Sequence, residues 1–272
     1  IVSVDGTAVE SLTSTDAHVG SVVGFKVTAK TNNWSGKEEA ATIRESWSME
    51  DTPTNMTIDL STVVVKFNGN ELTLTDDYTD TVDPDTGKLT IIVPMVDDDG
   101  NSIYPATTGN SGLIPIEITY SATLDATAAD NAAKNSIGDV TVELDTYAFK
   151  VNKTDGTNPL PGAEFELWYN GAALTFIDNG DGSYTYCAEA NKPEGTTLTT
   201  TLSMLTNTTI TVKGLEKDWD YVLKEITVPQ GYNQAADIDV DGDNLTPVNA
   251  AIATLNLFEE TVVNNQGAEL PS

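Results

Sequence analysis

Tyr147-Ala-Phe-Lys-Val-Asn-Lys153 is the stretch on which the reading of this chain turns. In a strand, alternate side chains share a face. Tyr147, Phe149, Val151 and Lys153 then point one way, and Lys150 and Asn152 the other. Lys153 falls on the apolar face, where an ammonium is costly unless it finds a partner or loses its charge. The oddity recurs in Tyr221-Val-Leu-Lys-Glu225, where Glu225 shares a face with Tyr221 and Leu223 while Lys224 points away. In Thr261-Val-Val-Asn264, Asn264 lies on the face of Val262; Asn265, the rival amide, has the wrong parity. Three strands thus each aim one polar residue inward. Parity alone leaves two arrangements open: a buried Lys153–Glu225 ion pair with Asn264 as a hydrogen-bond partner, or a reacting set.

Around this stretch the chain reads as all-β. Seven short segments follow the same logic in the second half: Tyr147–Lys153, Glu164–Tyr169, Ser183–Cys187, Thr208–Val212, Tyr221–Thr227, Ile252–Phe258 and Glu260–Asn264. Short strands broken by Gly, Pro and Asn suggest an antiparallel sandwich. In the first half, strands are expected at Val22–Ala29, Thr62–Phe67, Leu89–Val93, Ile114–Leu124 and Val140–Leu144, with turn clusters between them. Only Lys37–Ser46 and Thr127–Asn135 look helical. The expected fold is two tandem immunoglobulin-like β-sandwich domains, 1–145 and 146–272. Val140–Leu144 runs almost directly into Tyr147–Lys153, so no flexible linker is expected.

Composition narrows the partners. The 272 residues carry 13 Lys+Arg against 42 Asp+Glu, a net charge of −29. Such a chain repels nucleic acid and anionic membranes. No apolar run is long enough to span a membrane. Cys187 is the only cysteine, so no intrachain disulfide can form. His18 is the only histidine, which argues against a His-rich metal site or a His-based triad. Asp237–Asp243 opens like a calcium loop, but Val248 stands where an EF-hand needs a bidentate Glu. No cofactor is expected; adventitious calcium at acidic turns is the nearest candidate. Trp34, Trp47, Trp168 and Trp219 are scattered and could be core or sugar-binding aromatics.

Lys150–Trp168 (KVNKTDGTNPLPGAEFELW) resembles the opening of the Cna B-type domains of Gram-positive pilins and adhesins. Leu223–Tyr232 (LKEITVPQGY) is similar to that family's E-box, and Val262–Ser272 (VVNNQGAELPS) to its last strand leading into a sortase signal. The resemblance implies an intramolecular isopeptide bond: Lys153 would attack the side-chain carbonyl of Asn264, releasing ammonia, with Glu225 polarising that carbonyl and shuttling protons. The physics fits, because an apolar surround favours the neutral amine, which is the nucleophile, and the protonated carboxyl, which can donate. It also implies that Leu270, Pro271 and Ser272 are the remnant of an LPxTG-type signal. The chain would then be extracellular, in the cell wall or a pilus, with other pilin subunits, sortase and peptidoglycan as partners. Its role would be a structural subunit of a surface pilus supporting adhesion, not an enzyme beyond one self-directed reaction. The alternative is a wall-anchored adhesin whose first domain binds a host protein or glycan.

Residues 1–145 are similar to the first, fimbrial isopeptide-type (Cna A-like) domain of such proteins, through Ala17–Thr31, Glu50–Asp59 and Ile114–Asp125. The resemblance places an acidic catalyst at Asp51 and a reactive asparagine at Asn131 or Asn135. The first strand, Ile1–Ser11, contains no lysine, and Lys26 and Lys30 have outward parity. No isopeptide is therefore expected in this domain, and the residues themselves favour Asp51 as a turn residue before Thr-Pro.

Overall fold

The computed structural model describes residues 1–31, 45–101, 103–104, 113–249 and 252–267. The chain divides into two compact units. The first comprises Ile1–Thr13, Val22–Thr123 and Lys134–Glu143; the second comprises Ser14–Ser21, Leu124–Ala133 and Leu144–Ser272. A contiguous division at residue 145 therefore differs at two short segments, 14–21 and 124–133, which pack with the second unit. Within that unit Val19 N–H donates to Gly214 O at 3.0 Å and Thr146 Oγ1 to Ala128 O at 2.8 Å.

The first unit is a β-sandwich. One sheet is centred on Ile114–Leu124, flanked by Val22–Thr31 and Met56–Phe67. Along Ile114–Leu124 every second residue is buried, from Ile114 through Tyr120 to Leu124, as expected of a strand with one face on a core. The other sheet runs Val140–Asp145, Ala133–Ile137, Ser46–Thr54, Leu89–Pro94, Thr79–Val82. Asp51 sits in mid-strand in Ser46–Thr54, fully buried, and not in a turn. The helix expected at Thr127–Asn135 is a short 3₁₀ turn, Ala126–Ala129, followed by the strand Ala133–Ile137. Its pairing of Asn135 with Pro53 and Lys134 with Thr54 outweighs the alanine-rich helix preference. The other expected helix, Lys37–Ser46, falls outside the described residues except at Glu45 and Ser46, and Ser46 opens a strand.

The second unit is also built of two sheets. In one, Tyr147–Thr154 lies between Thr209–Leu215, antiparallel, and Phe258–Val263, parallel. Tyr147–Thr154 and the last strand of the unit are thus neighbours. In the other, Ala163–Tyr169 pairs with Tyr221–Thr227. Phe149, Val151, Phe165, Leu167, Phe176 and Val212 form the centre of the core between them. Ile252–Phe258 is not a strand: Ile252–Thr254 is a 3₁₀ turn, and pairing begins only at Phe258. The reason is a separate small apolar cluster, in which Ile252, Leu255 and Leu257 pack on Ala148 and Val248.

One close approach in this unit is testable. Asp241 caps the Gly242–Asn244 turn by accepting from Asp243 N–H at 2.9 Å. A Cβ on Gly242 would lie 2.0 Å from Lys217 O and 2.3 Å from Trp219 O. Both obstacles are backbone, which yields less readily than a side chain. Gly242→Ala should therefore destabilise the unit by about 2–3 kcal/mol, read as a lower urea midpoint at unchanged slope. An unchanged midpoint would show that the segment moves aside freely.

Candidate functional site

Lys153, Glu225 and Asn264 meet in the second unit. Each owes its inward aim to strand parity. Lys153 follows Tyr147, Phe149 and Val151 on the buried face. Glu225 follows Tyr221 and Leu223. Asn264 follows Val262, one residue past the end of the last strand. Their exposures are 0%, 2% and 0%. Lys153 is in register with Val262 on the parallel neighbour. The backbone N–H of Asn264 donates to Thr154 O at 3.1 Å. The lysine and asparagine thus come from adjacent strands, and the glutamate from the opposite sheet.

The polar atoms are only partly satisfied. Asn264 Nδ2 donates to Glu225 Oε2 at 2.8 Å and to Asn233 O at 2.6 Å. Ala235 N–H also donates to Glu225 Oε2, at 2.7 Å. Lys153 Nζ donates to Thr154 O at 3.1 Å and Val262 O at 3.5 Å. Among the described residues no ion pair joins Lys153 to Glu225. Glu225 Oε1 and Asn264 Oδ1 are buried and accept no hydrogen bond from the protein. Burial lowers the Lys153 pKa from the ordinary lysine value, against the opposing pull of Glu225 and then Asp155. Buried polar groups are normally paired. The Asn264 amide oxygen and one Glu225 oxygen are exceptions to that rule.

In the first unit the structure brings together Asp51 and Asn135, but not Asn131. Asn135 Nδ2 donates to Asp51 Oδ2 at 3.0 Å and to the Tyr120 hydroxyl at 2.9 Å, and Tyr120 in turn donates to Asp51. Asp51 and Asn135 are 0% and 4% exposed, and Asp51 Oδ1 and Asn135 Oδ1 accept no hydrogen bond from the protein. Burial raises the Asp51 pKa, opposed by hydrogen bonds from Tyr120, Asn135 and the Thr52 backbone. Asn131 is exposed, in the turn after Ala126–Ala129. Lys26 points outward, to Glu117 at 2.6 Å, as its parity requires. Sequence reasoning missed Tyr120. Its signal was a hydroxyl on the buried face of Ile114–Leu124, which must find a partner.

The remaining candidates are placed as follows. Leu270, Pro271, Ser272 and Trp34 lie outside the described residues. Trp219 is half-buried and stacks on Tyr169 at 4.1 Å, while Trp168 is half-buried with the Lys224 ammonium 4.1 Å from its ring centre. Among the described residues no group of His, Cys, Asp and Glu could hold a metal ion. No helix among them is long and apolar enough to cross a membrane.

Glu216, in the second unit, is a further buried acid that sequence reasoning passed over. Burial lifts its pKa to about 7, with His18 opposing and Asp16 and Asp218 adding to the rise. A carboxyl with a raised folded-state pKa binds its proton more tightly folded than unfolded. Its stabilising contribution is therefore complete below the unfolded value and is lost as pH rises through about 7. Between pH 5 and 8 the second unit should lose on the order of 2–3 kcal/mol from this group. Glu216→Gln should flatten that slope in urea titrations; an unchanged slope would assign it elsewhere.

Residues 147–252 match the family described as SpaA, prealbumin-like fold domain. No curated protein matches the chain. The C-terminal fragment of the major pilin GBS80 of Streptococcus agalactiae superposes with a TM-score of 0.57 at 16% identity, over 93% of this chain and 95% of that one. The T6 backbone pilin of serotype M6 Streptococcus pyogenes superposes with a TM-score of 0.50 at 15% identity, over 88% of this chain and 51% of its own length. The chain thus spans about half of the latter protein. Residues 147–252 are thus similar to the SpaA prealbumin-like fold domain, and the chain shares its fold with the GBS80 and T6 pilin structures.

Proposed function

We propose that this chain is a structural subunit of a cell-surface pilus, and that Lys153 and Asn264 are joined in the mature protein by an isopeptide bond formed under the influence of Glu225. The observation that carries this reading is the convergence of a buried lysine, glutamate and asparagine on adjacent elements, with the amide oxygen unpaired. Lys153 Nζ bonds to Asn264 Cγ, and the Cγ–Nδ2 bond breaks. Glu225, already accepting from Nδ2, carries the amine's proton to the leaving nitrogen, which departs as ammonia. Enclosure supplies the effective molarity for an otherwise very slow exchange. The product is the protein itself, so the reaction occurs once per chain and the protein is not an enzyme in any further sense.

Strand arrangement turns this bond to mechanical use. Tyr147–Thr154 and Phe258–Val263 are parallel neighbours, so tension entering ahead of Tyr147 and leaving after Asn264 shears one past the other. A Lys153–Asn264 bond carries that tension through covalent bonds and takes the intervening sandwich out of the path. Attachment by sortase to other subunits or to peptidoglycan, on an extracellular fibre that supports adhesion, follows from the same reading. No cofactor is required.

Intact mass is the direct test. The purified chain should weigh about 17 Da less than its sequence, one ammonia for one amide exchanged. Peptide mapping should place the branch at Lys153 and Asn264. A full-sequence mass in mature, folded material would overturn the cross-link.

A further inference from the structure

The loop after Tyr221–Thr227 folds back onto Asn264. Asn233 N–H donates to Asn265 O and Gly267 N–H to Gly231 O, both at 2.9 Å, and Tyr232 bridges to Gln266. These bonds clasp 231–235 against 264–267. Gln234 Nε2 donates to Glu225 O at 2.6 Å, which ties the same loop to the glutamate. Two acceptors then meet the Asn264 nitrogen: Asn233 O at 2.6 Å and Glu225 Oε2 at 2.8 Å. Neither can reverse its role. Asn233 O is a main-chain carbonyl, and Ala235 N–H already donates to Glu225 Oε2 at 2.7 Å, which holds that oxygen as an acceptor. The other end of the amide, Oδ1, receives no hydrogen bond among the described residues.

We propose that the Asn233 carbonyl, together with Glu225 Oε2, selects a carboxamide over a carboxylic acid at position 264, and so makes the bond to Lys153 one that releases ammonia and not water. The inference rests on the cross-link proposed above and makes Asn233 a specificity-determining residue through its main chain. A carboxamide nitrogen has two N–H donors, one for each acceptor. It keeps both as it leaves: Lys153 Nζ bonds to Asn264 Cγ, the Cγ–Nδ2 bond breaks, and Nδ2 departs with its two hydrogens and the amine's proton. With an aspartate there, the Cγ–O bond would break and the hydroxyl would leave as water with the amine's proton. That hydroxyl has one hydrogen for two acceptors, and an ionised carboxylate has none. One acceptor is then left facing an oxygen, and a site built around N–H donors discriminates strongly against an analogue that lacks one.

Asn264→Asp tests the selection. Reaction in this variant removes one water, about 18 Da, against about 17 Da in the parent, so mass follows both after refolding. Near pH 7 the variant should cross-link about 10²-fold more slowly than the parent, or worse. Ionisation of the new carboxyl would slow it too, so the pH profile separates the two causes. At about pH 4 the carboxyl gains a proton but still lacks a second donor, and a deficit of about tenfold or more against the parent at the same pH should remain. Recovery to the parental rate there would overturn the selection and leave the cross-link standing. A parent that loses no mass would instead remove the cross-link, and the selection with it. Hydrogen exchange gives an independent measurement should the aspartate variant fail to fold. In Lys153→Met, where Asn264 keeps its amide, both Nδ2 protons should exchange about 10²-fold more slowly than those of exposed Asn265. One fast proton would mean that a single acceptor holds the amide, and would equally overturn the proposal.

Discussion

Lys153→Met should restore the full sequence mass and lower the melting temperature of the second unit by roughly 15–20 °C. The magnitude follows from the loop that Lys153 and Asn264 would close, more than a hundred residues long, which removes about 4–5 kcal/mol of unfolded-chain entropy. A unit of this size shifts by about 3–5 °C per kcal/mol. Methionine suits the test because Lys153 is fully buried. It keeps the length of the stem, deletes the nucleophile and leaves no unpaired charge. The cost of the lost bonds to Thr154 O and Val262 O is small beside the cross-link. Calorimetry and intact mass on the same sample decide the matter. A variant melting within about 3 °C of the parent would mean that no closed loop had been lost.

Glu225→Ala should have a larger effect still, and for a separable reason. Glu225 Oε2 accepts from both Asn264 Nδ2 and Ala235 N–H. Removing it leaves buried donors to be satisfied elsewhere, at about 1–3 kcal/mol beyond the missing cross-link. The unit should then melt roughly 20–30 °C lower. Glu225→Gln separates packing from chemistry. It keeps an acceptor oxygen and the side-chain shape, so the fold should survive, but it cannot carry a proton between amine and leaving nitrogen. Bond formation should slow by about 10²-fold or more, followed as the mass decrement growing in after refolding. Cross-linking at the parental rate in the glutamine variant would remove the carboxyl from the mechanism.

The second unit's site was legible because it is written in period-two alternation. Lys153, Glu225 and Asn264 stand where an apolar residue belongs on otherwise clear strands, and the structure keeps that parity at all three. The first unit's pair was harder. Asp51 lies in Ser46–Thr54, whose inward residues Met49, Asp51 and Pro53 include an acid and a proline, so the alternation of a strand is masked. Asn135 sits in an alanine-rich stretch with helical propensity, and only its pairing with Pro53 makes it extended. Neither residue announces the other: that meeting is a product of sheet order. The packing of 14–21 and 124–133 with the second unit was likewise invisible, being fixed by tertiary hydrogen bonds and not by local pattern.

Joining Lys153 to Asn264 would make the stretch between them a closed ring, entered and left at neighbouring points because the two strands lie side by side. A protease that cuts the exposed Pro193-Glu194-Gly195 turn would open the ring without freeing a fragment. Cleaved chains would still migrate as one species under denaturing, reducing conditions, and the two exits would stay tied. Damage to the sandwich and severance of the fibre would become different events.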